Sequence, residues 1–147
     1  MSQTRKYEKP KFLPDEVTQT DYEEWLYRKT TAHIKRDRNR ENSHSTPEEY
    51  RVAIHKAVVV SNGVDVYTGQ PLRWDLVRTY NNEDSQRDGR KYKAKFADLP
   101  TVDHTGDGKG NPDFKICSWK MNDAKNDLTL EEFIDLCETV LNFHRNR

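Results

Sequence analysis

Asp103 and His104 stand side by side, and an asparagine, Asn122, follows further along the chain. An imidazole has an ordinary pKa near ~6.5, so it can take a proton from water near neutral pH. A carboxylate and a side-chain amide are hard oxygen donors, the kind that suit Mg²⁺ or Mn²⁺. A proton acceptor beside such donors fits phosphodiester hydrolysis, which needs an activated water and stabilisation of charge on the phosphate and the leaving oxygen. Neighbouring side chains on a strand point to opposite faces, so Asp103 and His104 need a bend to face one point. Gly106 and Gly108, just beyond them, can supply it.

The elements that must hold these residues read as follows. Phe96, Leu99 and Val102 lead into a strand ending near His104, and Thr105 to Asp113 is a loop rich in glycine. Phe114, Ile116 and Trp119 suggest a returning strand, and Asn122 then opens a short helical turn. Upstream, Thr20 and Glu23 form a capping box for a first helix over about Asp21 to Asp37. Thr46, Pro47 and Glu49 start a second helix with a stripe of Tyr50, Ala53, Ile54, Ala57 and Val58, stopped by Asn62-Gly63. Val64 to Tyr67 is a short strand candidate, residues 72–77 fit either a strand or a short helix, and residues 79–90 are an exposed polar loop. Thr129 and Glu132 cap a last helix expected to bury Phe133, Ile134, Leu136, Cys137, Val140 and Leu141.

The stretch V-D-H-T-G-D-G-K-G-N-P-D-F-K-I-C-S-W-K-M-N-D-A-K-N-D-L-T, from Val102 to Thr129, resembles the HNH, or ββα-metal, endonuclease motif of the Asp-His-Asn subgroup. The resemblance implies a hairpin packed on one helix around a single divalent metal, with Asp103 and Asn122 as metal ligands and His104 as general base. It extends weakly from residue 64 and well from residue 99. The implied architecture is α+β: a ββα-metal core with N-terminal helices and a closing C-terminal helix. Residues 1–19 would form an extended polar arm and 20–147 one domain, with the core motif at 99–128. The implied function is a one-metal hydrolase cutting DNA with Mg²⁺ or Mn²⁺, RNA staying open as a substrate. Many relatives of this kind carry CxxC pairs for a structural zinc. Here Tyr67-Thr68-Gly69 stands near the first pair, with Cys117, Trp119 and Met121 near the second, so no structural zinc is expected. Apolar packing of Tyr67, Trp119 and Met121 should take its place.

Plainer readings stand beside these. Asp103, Thr105 and Asp107-Gly108 echo a calcium-binding loop, but Phe114 occupies the position that needs a bidentate glutamate. Asn122 could simply cap a helix. Arg28, Lys29, Lys35, Arg36, Arg38 and Arg40 form a basic stretch that is either a solvated helix face or a phosphate-tracking surface, and Lys125 could meet a phosphate or an acid. His33 reads as helix surface, His44 and His55 as incidental, and Trp25 and Trp74 as core.

The 147 residues suit one domain, and with 33% hydrophobic and 34% charged residues its core must be small. The net charge is zero, but residues 28–40 hold six bases against Asp37, and residues 123–138 hold six acids against Lys125. The two cysteines, Cys117 and Cys137, cannot build a four-thiolate zinc site. No apolar signal core or ~20-residue span appears, which makes a cytoplasmic protein the default expectation. A homodimer is compatible with the sequence and nothing in it demands one. The rival from another class is a nucleic-acid-binding regulator or inhibitor on a degenerate HNH fold.

Overall fold

The computed structural model describes residues 6–39, 45–78, 94–105 and 112–146. The fold is mixed helix and strand. Helix α1 (Gln19–Asn39) and helix α2 (Pro47–Ser61) pack on each other, and α2 also backs the second strand of a two-stranded antiparallel hairpin. The hairpin pairs β1 (Pro100–His104) with β2 (Phe114–Ser118), in a register that sets Asp103 opposite Lys115 and His104 opposite Phe114. Helix α3 (Trp119–Lys125) follows β2 directly, and helix α4 (Leu130–Arg145) ends the described chain.

Each helix start is written in the sequence. At α2, Thr46 accepts from the Glu49 amide while the Glu49 carboxylate accepts from the Thr46 amide, and Thr129 with Glu132 repeats the arrangement at α4. At α1 the reciprocal pair is Thr18 with Asp21, both at 3.0 Å, and not Thr20 with Glu23. The shorter aspartate does the work expected of a glutamate, and the helix begins earlier than the spacing of Thr20 and Glu23 suggested. Asn62, in the left-handed region at φ 52, ends α2, and Gly63 continues at φ 89 with Phe12 packed against its bare Cα.

The core joins Tyr22, Trp25 and Leu26 of α1 to Tyr50, Ile54 and Val58 of α2. Trp74 and Val77 come from a 3₁₀ turn (Trp74–Arg78), and Val102, Phe114 and Ile116 from the hairpin. Trp25 and Trp74 are core residues, as expected, with their rings 5.7 Å apart. The expected extended arm is packed from Tyr7 onward: Leu13 and Val17 are buried in this same core, and Tyr7 and Phe12 lean on it.

Two expectations are overturned. Val64 to Tyr67 is not a strand beyond a single bridge between Val64 and Pro71. The segment is a turn built on buried Asp65, whose Oδ1 accepts from the amides of Tyr67 and Thr68 at 2.8 and 3.2 Å. Its Oδ2 accepts from the amide of Ser118 at 2.9 Å. A carboxylate therefore ties this turn to the junction of β2 and α3. The second correction is α4, which buries none of its residues. Ile134, Leu136, Val140 and Leu141 are exposed, and so is Cys137. The helix projects from the domain instead of closing it. The expected loop at 79–90 lies outside the described residues. Among the described residues, no helix is long and apolar enough to cross a membrane.

Candidate active site

One cavity of about 700 Å³ is lined by Asp103, His104 and Asn122, together with Arg36, Tyr67 and Lys115. The β1 ladder stays regular through His104, so Asp103 and His104 point away from each other as strand geometry requires. Both are still among the residues that line the cavity. The hairpin is pinned just beyond them, where the amide and hydroxyl of Thr105 donate to the carbonyl of Asp113 and the hydroxyl also reaches the Asp113 carboxylate at 2.8 Å. Residues 106–111, including Gly106 and Gly108, lie outside the described residues.

Asp103 is 6% exposed and turns toward the β2–α3 side. Its Oδ2 accepts from the Tyr67 hydroxyl at 2.6 Å and sits 2.9 Å from Nζ of Lys125. Burial, and then the hydrogen bond to Asp103, push the Tyr67 hydroxyl well above its ordinary pKa, so it stays a donor. Lys125 thus meets an acid. Its ammonium is nearly buried against that carboxylate and also lies 5.6 Å from the Tyr67 ring centroid.

His104 turns the other way, toward α1. Its Nε2 lies 3.5 Å from Oδ2 of Asp37, and its ring meets Phe114 edge-on at 5.1 Å. Asp37 is fully buried, and the same Oδ2 accepts from the Tyr50 hydroxyl of α2. Its other oxygen, Oδ1, has no hydrogen-bond partner among the described residues. One helical turn before Asp37, His33 lies near-parallel to His104, with ring centroids 6.2 Å apart. His33 is buried, not on the helix surface as its sequence setting suggested. Burial, with Lys29, Arg36 and His104 around it, lowers its pKa to about 3, so it is neutral in the folded protein at neutral pH.

Asn122 sits in the second turn of α3. The helix cap is Ser118, whose hydroxyl accepts from the amide of Met121, so the capping role considered for Asn122 falls to another residue. With the cap placed at Ser118, Asn122 is carried onto the wall of the cavity.

The basic stretch divides among different surfaces. Arg36 opens onto the site cavity. Arg28 and Lys29 border a separate hollow beside Trp25 and Thr101, and Lys35 and Arg38 line another with Tyr27 and Arg51. Lys29 turns inward to within 3.3 Å of the Thr101 hydroxyl, and burial lowers its pKa to about 8. Arg40 lies outside the described residues. His55 is not incidental to the fold, since Tyr22 and its Nδ1 share a 2.6 Å hydrogen bond.

Sequence reasoning missed His33, Asp37, Tyr67 and Lys115 as neighbours of the site. The alternation of β2 could have found Lys115, which faces away from buried Phe114 and Ile116. The spacing of His33 and Asp37 along one helical face was the signal for the other pair. Among the described residues, no three His, Cys, Asp and Glu side chains gather as a metal cluster. No family model, no curated protein and no solved structure matches the chain.

Proposed function

We propose that the chain is a metal-dependent endonuclease of the HNH kind, hydrolysing DNA phosphodiester bonds. The observation that supports this reading most is a single polar cavity. It gathers a carboxylate, an imidazole and an amide from β1 and α3, with Arg36 and Lys115 on the same wall. Asp103 and Asn122 would hold Mg²⁺ or Mn²⁺, and both present the hard oxygen donors these ions prefer. Both ties made by Asp103 fall on Oδ2, so Oδ1 is the oxygen a cation would take. When bound, the ion supplies charge neutralisation to the phosphate and the leaving oxygen.

The chain's own residues account for the rest. Asp37 lies 3.5 Å from Nε2 of His104, near enough to favour a proton on that nitrogen and leave Nδ1 to accept one from water. The Tyr50 hydroxyl and the Phe114 edge restrict how Asp37 and the imidazole can move. Lys125 and Tyr67 fix the carboxylate of Asp103 in one orientation. Arg36 and Lys115 supply cations that can position a phosphate backbone without reading its bases.

The Lys125–Asp103 ion pair favours a second reading. A side-chain cation already neutralises the carboxylate, which would suit a metal-free site in a nucleic-acid-binding regulator. The two readings separate on supercoiled plasmid incubated with the chain in Mg²⁺ or Mn²⁺ and, in parallel, in excess chelator. The nuclease reading expects nicked or linear product only with metal. Salt-sensitive binding in a gel shift with no metal-dependent product would overturn it in favour of the regulator.

A further inference from the structure

Helix α4 carries an apolar face that stands largely exposed. Leu130, Ile134, Leu136, Val140, Leu141 and Phe143 are all exposed, Phe143 at 64%. At about 100° per residue, Leu130, Phe133, Ile134, Cys137, Val140 and Leu141 form one stripe. Leu136 and Phe143 border it on one side, and Glu131, Glu138 and Arg145 on the other. A helix of 16 residues is marginal alone in water and gains most of its stability from packing such a face. A contiguous apolar surface of this kind marks an interaction site.

The order of charges along the helix indicates what covers it. The first turn holds Glu131 and Glu132, and the last holds His144 and Arg145. A second copy of α4 laid antiparallel sets each acidic first turn against a basic last turn, twice over, with the helix dipoles opposed. A parallel pair would set like against like. About the two-fold axis of an antiparallel pair, the flank bearing Glu131 and Arg145 faces the same flank of its mate. Glu131 then meets Arg145 of the partner subunit. Cys137, near the helix midpoint, comes close to its own counterpart. Glu138 meets its counterpart too, an opposing interaction that the apolar stripe must outweigh.

We propose that α4 is a self-association surface through which two copies of this chain pair antiparallel, as an isologous dimer. The proposal does not rest on the nuclease reading. Leu130 and Glu131 also line the site cavity. The dimer would therefore carry its two cavities near opposite ends of the helix pair, about 24 Å apart along the helix axis. A contact made by one helix pair lies at the low end of stable interfaces, near ~1,000 Å² in total, so the dimer should dissociate on dilution.

Sedimentation of the full chain over a range of concentrations up to ~100 µM tests this, with the mass approaching two chains at the top of the range. Ile134→Glu with Leu141→Glu should weaken association at least tenfold, with far-ultraviolet circular dichroism near that of the parent at dilutions where both are monomeric. A short bismaleimide should join parent chains through exposed Cys137 and should not join Cys137→Ser chains, because Cys117 is buried. For orientation, Glu131→Arg or Arg145→Glu alone should weaken the dimer, and the two in one chain should restore it. A monomer at every concentration, or a dimer indifferent to the Ile134 and Leu141 changes, overturns the surface. A charge swap that restores nothing overturns the antiparallel arrangement.

Discussion

The imidazole of His104 has a carboxylate neighbour, and that neighbour comes from outside the hairpin that carries it. Asp37 reaches Nε2 at 3.5 Å from α1, and Tyr50 shares the same carboxylate oxygen from α2. A carboxylate in this position fixes both the tautomer and the orientation of a histidine, and such outer partners commonly matter by about 10- to 100-fold. Asp37→Asn should therefore lower the cleavage rate by roughly that factor, with DNA affinity in a gel shift unchanged. A rate equal to the parent's would remove Asp37 from the mechanism. Asp103, His104 and Asn122, singled out by type and order in the sequence, line one cavity. Asp37 and His33 were hidden because a helix that looked basic on the surface also buries a polar edge. Their roles depend on which face of α1 meets β1, and helical spacing alone does not choose between two faces.

Among the elements, the turn at residues 65–68 shows how a buried carboxylate can do the work of packing. Asp65 accepts three backbone amides, two in its own turn and one at Ser118, where β2 passes into α3. Asn122 and Lys125 both lie on α3, so the position of the site's far wall depends on that joint. Truncating Asp65 leaves the buried Ser118 amide without its partner, worth about 1–3 kcal/mol, and unties two amides of a partly exposed turn. Asp65→Ala should cost roughly 2–3 kcal/mol, read as a lower urea midpoint at an unchanged slope. A change of only a few tenths of a kcal/mol would show that the joint is held by something else. The helix starts at Thr46 and Thr129 were legible because caps are local chemistry. The turn at Asp65 was misread as a strand because Val64, Val66 and Tyr67 are good strand residues. What makes it a turn is Asp65, whose partner across space, Ser118, is far away in the sequence.

For the molecule as a whole, two helices, a hairpin and a short helix enclose one small core. One helix is left projecting from it. The last helix was expected to close the core because its periodicity is that of a buried face. Periodicity reports that a face wants cover, and it is silent on whether the cover comes from the same chain. The formal charge of zero likewise concealed how the bases divide: Arg36 at the site, Arg28 and Lys29 beside one hollow, Lys35 and Arg38 beside another. A surface that tracks DNA would then run from Arg36 and Lys115 across the cavity mouth rather than along α1. The central claim is that this cavity cuts DNA using His104 as the base. Its most direct measurement is the rate at which His104→Ala cuts supercoiled plasmid in Mg²⁺ or Mn²⁺, at protein concentrations giving DNA occupancy equal to the parent's. Cutting should disappear while fold and binding persist. Cutting at the parental rate would contradict the claim.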